Sequence, residues 1–91
     1  MTGQTRLTVC AHVEGRPFHE ETVVLQLATG EYFSLDSIGT RVWNYILRGD
    51  SLGEVIQALA LDYDASPAQL SHDVLALADE LVRHGLMVAR T

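Results

Sequence analysis

Hydrophobic periodicity switches once along this 91-residue chain, at Asp36, from a repeat of two to a repeat near 3.6. Before that point Leu7, Val9 and Ala11 alternate with Thr8, Cys10 and His12, and Val13 closes the run. Glu14-Gly15-Arg16-Pro17 then reads as a turn-forming cluster. Thr22 to Leu27 is apolar and partly β-branched, Ala28-Thr29-Gly30-Glu31 supplies a short turn, and Tyr32-Phe33-Ser34-Leu35 follows as a partner. A hairpin is the natural reading, and three strands are expected in all. A chain this short has one core, which both kinds of element must share.

Past Asp36, Ile38, Val42, Trp43, Ile46 and Leu47 lie at helical spacing, with Asp36 or Ser37 able to accept the first free backbone N–H groups. Arg48-Gly49-Asp50 ends that helix. Asp50 or Ser51 caps the next, whose apolar face is Leu52, Val55, Ile56, Leu59 and Ala60, and Leu61 to Ala65 lead out of it. Ser66-Pro67 is a cap residue followed by proline at the first helical position, and the third helix runs to Arg83 or His84, where Gly85 stops it. Leu86-Met87-Val88 is a final apolar stub that either pairs as a short strand or packs on the core. No repeat, low-complexity tract or linker interrupts this order. The expectation is a single α+β domain over residues 1–91, an antiparallel three-stranded sheet followed by three helices.

At 100° per residue, Leu70, Val74, Leu77 and Leu81 share the expected core stripe of the third helix. Leu75, Ala78 and Val82, with Ser71, form a second stripe on one flank. The apolar arc spans about half the circumference, wider than the roughly 100° that core burial requires. Either two helices and the sheet enclose it, or one flank borders a groove for an apolar partner.

Six arginines and no lysine stand against twelve acids, for a net charge of −6. Duplex nucleic acid and anionic membrane surfaces both need the opposite balance, so neither is an expected partner; a partner carrying Lys or Arg is. A winged-helix DNA-binding regulator is the competing class, but Asp73, Asp79 and Glu80 against Arg83 make the third helix a poor reader of phosphates. No apolar run approaches the ~20 residues of a membrane helix, and Met1 to Thr5 lacks the apolar stretch of a secretory signal, so the cytoplasm is the expected compartment.

Catalytic chemistry finds no signature. Cys10, the only cysteine, excludes an internal disulfide and a cysteine-based zinc site. It could in principle pair with His12, His19, His72 or His84, but a lone cysteine in a β-run is usually a small core residue. The histidines have no i, i+4 spacing for a metal, and the glycines fall at turns and helix ends rather than in a phosphate-cradling pattern. No cofactor, metal or enzymatic activity is expected. What remains is architecture: a small sheet with one uncovered edge, and a bare edge that is used becomes a site where an extended peptide adds a strand.

The stretch from Val24 to Trp43 resembles the PqqD family. Leu27, Gly30, Tyr32, Leu35 and Asp36 fall in that family's strand pattern, Gly39, Val42 and Trp43 in its helix start, and Leu81, Gly85, Leu86 and Met87 at its third helix end. The likeness covers roughly residues 20–89. Members are winged-helix-like, non-catalytic recognition elements that hold the leader segment of a ribosomally made precursor peptide. They present it to a processing enzyme. This sequence is more similar to the stand-alone proteins of lasso-peptide clusters, whose partner is a cysteine-protease-type leader peptidase, than to the quinone-cofactor branch with its radical-SAM enzyme. The resemblance implies a leader lying antiparallel along the third strand in a cleft against the third helix. Its expected contacts are Glu31, Tyr32, Phe33, Ser34 and Leu35 on the strand, and Leu70, Asp73, Val74, Leu77, Glu80 and Leu81 on the helix.

Overall fold

The computed structural model describes residues 1–90. The order is β1 (Arg6–Val9), β2 (Val13–Phe18), β3 (Glu21–Gln26), β4 (Glu31–Leu35), α1 (Ser37–Leu47), α2 (Leu52–Asp62), α3 (Pro67–Arg83) and β5 (Met87–Arg90). Strands β2, β3 and β4 form the antiparallel three-stranded sheet, with β3 central. A separate two-stranded ribbon pairs β1 with β5, Leu7 opposite Ala89 and Val9 opposite Met87. The apolar stub after Gly85 is therefore a strand, and it ties the two ends of the chain together.

Two readings of the N-terminal third need correction. The run from Leu7 to Val13 is not one strand, because the chain turns between β1 and β2, where the Val13 N–H donates to the Cys10 carbonyl at 3.2 Å. Glu14-Gly15-Arg16-Pro17 is not a turn but the body of β2, paired against Thr22 to Leu25. The reversal comes later, at His19-Glu20, where His19 takes a φ of 60°. Tertiary packing overrides the local signal at Gly15: a Cβ there would lie 2.7 Å from Trp43 Nε1, so a side chain would collide with the indole. Pro17 is tolerated because β2 is an edge strand.

The helices start where the cap residues stand. Asp36 accepts from the Gly39 N–H at 2.7 Å, Ser66 from the Gln69 N–H at 3.1 Å, and Ser51 forms a reciprocal capping box with Glu54. Helix α2 runs on to Asp62, past the expected lead-out at Leu61. Helix α1 packs on β3 and β4, α2 on α1 and α3, and α3 on β5, around a core that includes Val24, Leu35, Trp43, Leu52, Leu59, Val74 and Leu86. Trp43 is a core residue, as its helical position implied. Cys10 is half-buried against the same core. Among the described residues no helix is long and apolar enough to cross a membrane.

Candidate peptide-binding site

The site is built on β4, whose outer edge faces no other strand among the described residues. Which of its backbone groups point outward follows from register. The β2–β3 turn contains two residues, so Phe18 and Glu21 close it as a bonded pair, and bonded pairs alternate from there. The Leu27 N–H donating to the His12 carbonyl at 2.8 Å has the same parity. Odd-numbered β3 residues thus bond to β2, and Thr22, Val24 and Gln26 face β4, opposite Leu35, Phe33 and Glu31. The N–H and C=O groups of Tyr32 and Ser34 are left pointing at the free edge.

Side chains alternate the other way. Leu35 is buried and Phe33 half-buried on the helix side, Phe33 lying 4.9 Å from the His84 ring between centroids. Tyr32 (71% exposed) and Ser34 project on the open face of the sheet. Glu31 is exposed at the start of the strand, where its carboxylate accepts from Thr29 Oγ1 at 3.1 Å.

Beside this edge, α3 forms the far wall of a groove with three linked recesses. One of about 140 Å³ lies among Phe33, Leu35, Leu77, Leu81, His84 and Leu86. A middle one of about 360 Å³ is bounded by Ser34, Asp36, Ile38, Asp73, Leu77 and Glu80. The third, about 250 Å³, opens between the helices among Ile38, Val42, Tyr63, Leu70, Val74 and Leu77. Leu77 borders all three.

This geometry settles the phase of α3. Leu70, Val74, Ala78 and Leu81 are its buried face, so Ala78 takes the core place expected of Leu77. Leu77 is half-buried and turned toward the groove, flanked by exposed Asp73 and Glu80. Of the helix residues expected at the site, Asp73, Leu77 and Glu80 form the accessible wall. Leu70, Val74 and Leu81 are core side chains that supply only the floor. The structure adds residues that the strand and helix patterns did not single out: Ile38, Tyr63, His84 and Leu86. Ile38 (42% exposed) was legible only as part of an apolar helix face; its place at the α1 N-terminus leaves it at the groove rim.

Charge is unevenly spread. Arg6, Arg16, Arg41, Arg48 and Arg83 are paired with Glu54, Glu14, Asp62, Asp50 and Asp79 respectively. Among the acids outside those pairs, Asp36, Asp64, Asp73 and Glu80 all line the groove. The remaining negative field is thus concentrated there. Arg41 also braces one end: it stacks over the rings of Tyr45 and Tyr63 and donates to the Tyr45 hydroxyl at 2.9 Å. That bond, and after it the Asp62 charge, hold its guanidinium further above its ordinary value, and the clasp fixes Tyr63 beside the third recess. Among the described residues no group of three His, Cys, Asp or Glu is placed to hold a metal.

Comparison with known proteins agrees with this architecture. The chain is similar to TbiB1 in complex with the TbiA(beta) leader peptide, with a TM-score of 0.83 and 26% identity over 87% of this chain and 92% of that one. It is also similar to a lasso peptide synthetase B1 complexed with the leader peptide, with a TM-score of 0.86 and 22% identity over 91% and 98% of the two chains. No curated protein is matched significantly by the sequence. Residues 21–87 match the family model described as coenzyme PQQ synthesis protein D, and the chain therefore belongs to the PqqD family.

Proposed function

We propose that this chain binds the leader segment of a ribosomally made precursor peptide as an added strand on β4, and presents it to the leader-processing enzyme of a lasso-peptide pathway without doing chemistry itself. The observation that carries this reading is the conjunction at β4: an open edge with two outward-facing residues, beside a groove of side-chain-sized recesses. Two solved proteins of the same fold are complexes with leader peptides.

Magnitudes assign the roles of edge and groove. Tyr32 and Ser34 offer four backbone groups, worth about 2–6 kcal/mol at 0.5–1.5 kcal/mol each. Ordering a disordered leader costs about 2–5 kcal/mol, and rigid-body association at least about 4 kcal/mol more. Backbone pairing alone does not hold the peptide; it sets direction and register. Affinity comes from side chains entering the recesses around Leu77, at about 1.5–3 kcal/mol for each apolar residue fully buried. The acidic rim acts on the approach, speeding association of a basic leader.

The test is amide exchange on the protein with and without a synthetic leader peptide from the precursor of its own pathway. Leader binding at β4 slows exchange at Tyr32 and Ser34, while Phe33 and Leu35, already paired with β3, change little. Protection confined to any other segment refutes the placement, and no binding refutes the function.

A further inference from the structure

The three-stranded sheet has a second edge, and it is built differently. The parity that turns Tyr32 and Ser34 outward on β4 turns Val13, Gly15 and Pro17 outward on β2. Val13 spends its N–H on the Cys10 carbonyl, and Pro17 has none. Gly15 alone keeps a donor for an incoming strand, where β4 offers two at successive outward positions. Shape does not make this distinction. A recess of about 270 Å³ runs along β2 as well, between Pro17 and the Trp43, Asn44 and Leu47 side of α1, and Leu47 is 57% exposed.

We infer that Pro17 closes the β2 edge against strand addition, so that an extended peptide joins this sheet only at β4. The inference rests on reading β4 as the strand-addition edge. Without Pro17, the chain most available to β2 is a second copy of itself. Antiparallel pairing of two β2 strands about Gly15 makes two bonds between the glycines. It places each residue 17 opposite the partner's Val13, where proline has no hydrogen to give. An N–H at position 17 adds two bonds, one from each copy, and removes the ring from the path of the facing carbonyl.

The experiment is sedimentation velocity on the protein alone, wild type against Pro17→Val, over a wide concentration range. Residue 17 lies at a position not bonded to β3, so the substitution leaves the β2–β3 ladder intact. Pro17→Thr supplies the same N–H should valine prove insoluble. The wild type stays monomeric, and the variant dimerises with an apparent dissociation constant at least tenfold lower, accompanied by slowed exchange at the Gly15 amide. Unchanged association, or a dimer that protects Tyr32 and Ser34 instead of Gly15, overturns the inference. The readout contains no leader. If β4 were not the leader edge, leader binding would fail while the self-association result stood.

Discussion

Proline scanning along β4 separates binding from folding. Ser34→Pro removes an N–H that faces the free edge, so no bond of the β3–β4 ladder is lost. The fold loses at most about 1 kcal/mol of strand preference. Phe33→Pro removes an N–H directed at Val24, strands the Val24 carbonyl in the interior and deletes a half-buried ring packed on His84. Those losses are about 0.5–1.5 kcal/mol for the bond, 1–3 kcal/mol for the stranded group and 1.5 kcal/mol or more for the ring. For a domain of this size, about 4–8 °C of melting temperature accompanies each kcal/mol. Ser34→Pro should therefore melt within about 8 °C of wild type, and Phe33→Pro at least about 12 °C lower. Leader affinity runs the other way for Ser34→Pro. The peptide loses one ladder bond and carries a carbonyl into the interface without a donor, together about 1.5–4.5 kcal/mol, a ten- to thousandfold weaker Kd. Fluorescence anisotropy with labelled leader gives the affinity, and circular dichroism gives the melting curve. A folded Ser34→Pro variant with wild-type affinity refutes strand addition at β4. A Ser34→Pro variant as unstable as Phe33→Pro refutes the parity of the ladder.

Three further outcomes are expected. Gly15→Ala sets a methyl against the Trp43 indole and should cost about 1–3 kcal/mol, read as a lower urea midpoint at unchanged slope; wild-type stability would mean the indole moves freely aside. Asp73→Lys or Glu80→Lys should slow association of a basic leader and flatten its salt dependence in stopped-flow measurements, with release little changed; a rate indifferent to salt in the wild type discards steering by the acidic groove. The backbone N–H of Ser51, then its side chain, hold the Glu54 carboxyl below its ordinary value of 4.5. A lowered folded-state value means stabilisation present above that pH and lost as pH falls through the folded value, so Glu54→Gln should show a shallower acid limb in a melting-temperature profile, and an identical limb would remove the capping box as its source.

Much of the architecture is local and was readable as such. Asp36, Ser51 and Ser66 each satisfy a free N–H of the helix that follows, an interaction spanning three residues, so the three helix starts needed no knowledge of the fold. The β3–β4 hairpin is equally local, a Gly-containing turn between two apolar runs, with Gly30 at a φ of 78°. The charge of −6 was likewise countable, although its concentration at the groove was not: that depends on which acids the five paired arginines occupy.

Elsewhere the deciding contacts lie far along the chain. Gly15 and Pro17 have the composition of a turn. They form a strand because Trp43, 28 positions after Gly15, needs the space a side chain would fill, and because β2 has no outer neighbour among the described residues to miss the proline's N–H. The final apolar stub became a strand only because β1 lay beside it. On α3, the helical repeat identified an apolar arc but not its centre. Once α3 packs against α2 and β5 with Ala78 on its buried face, Leu77 is turned out to border the groove, flanked by two carboxylates. Periodicity along one element specifies which side chains avoid water, whereas which neighbour covers them, and which backbone edge stays open, depends on how all the elements pack together.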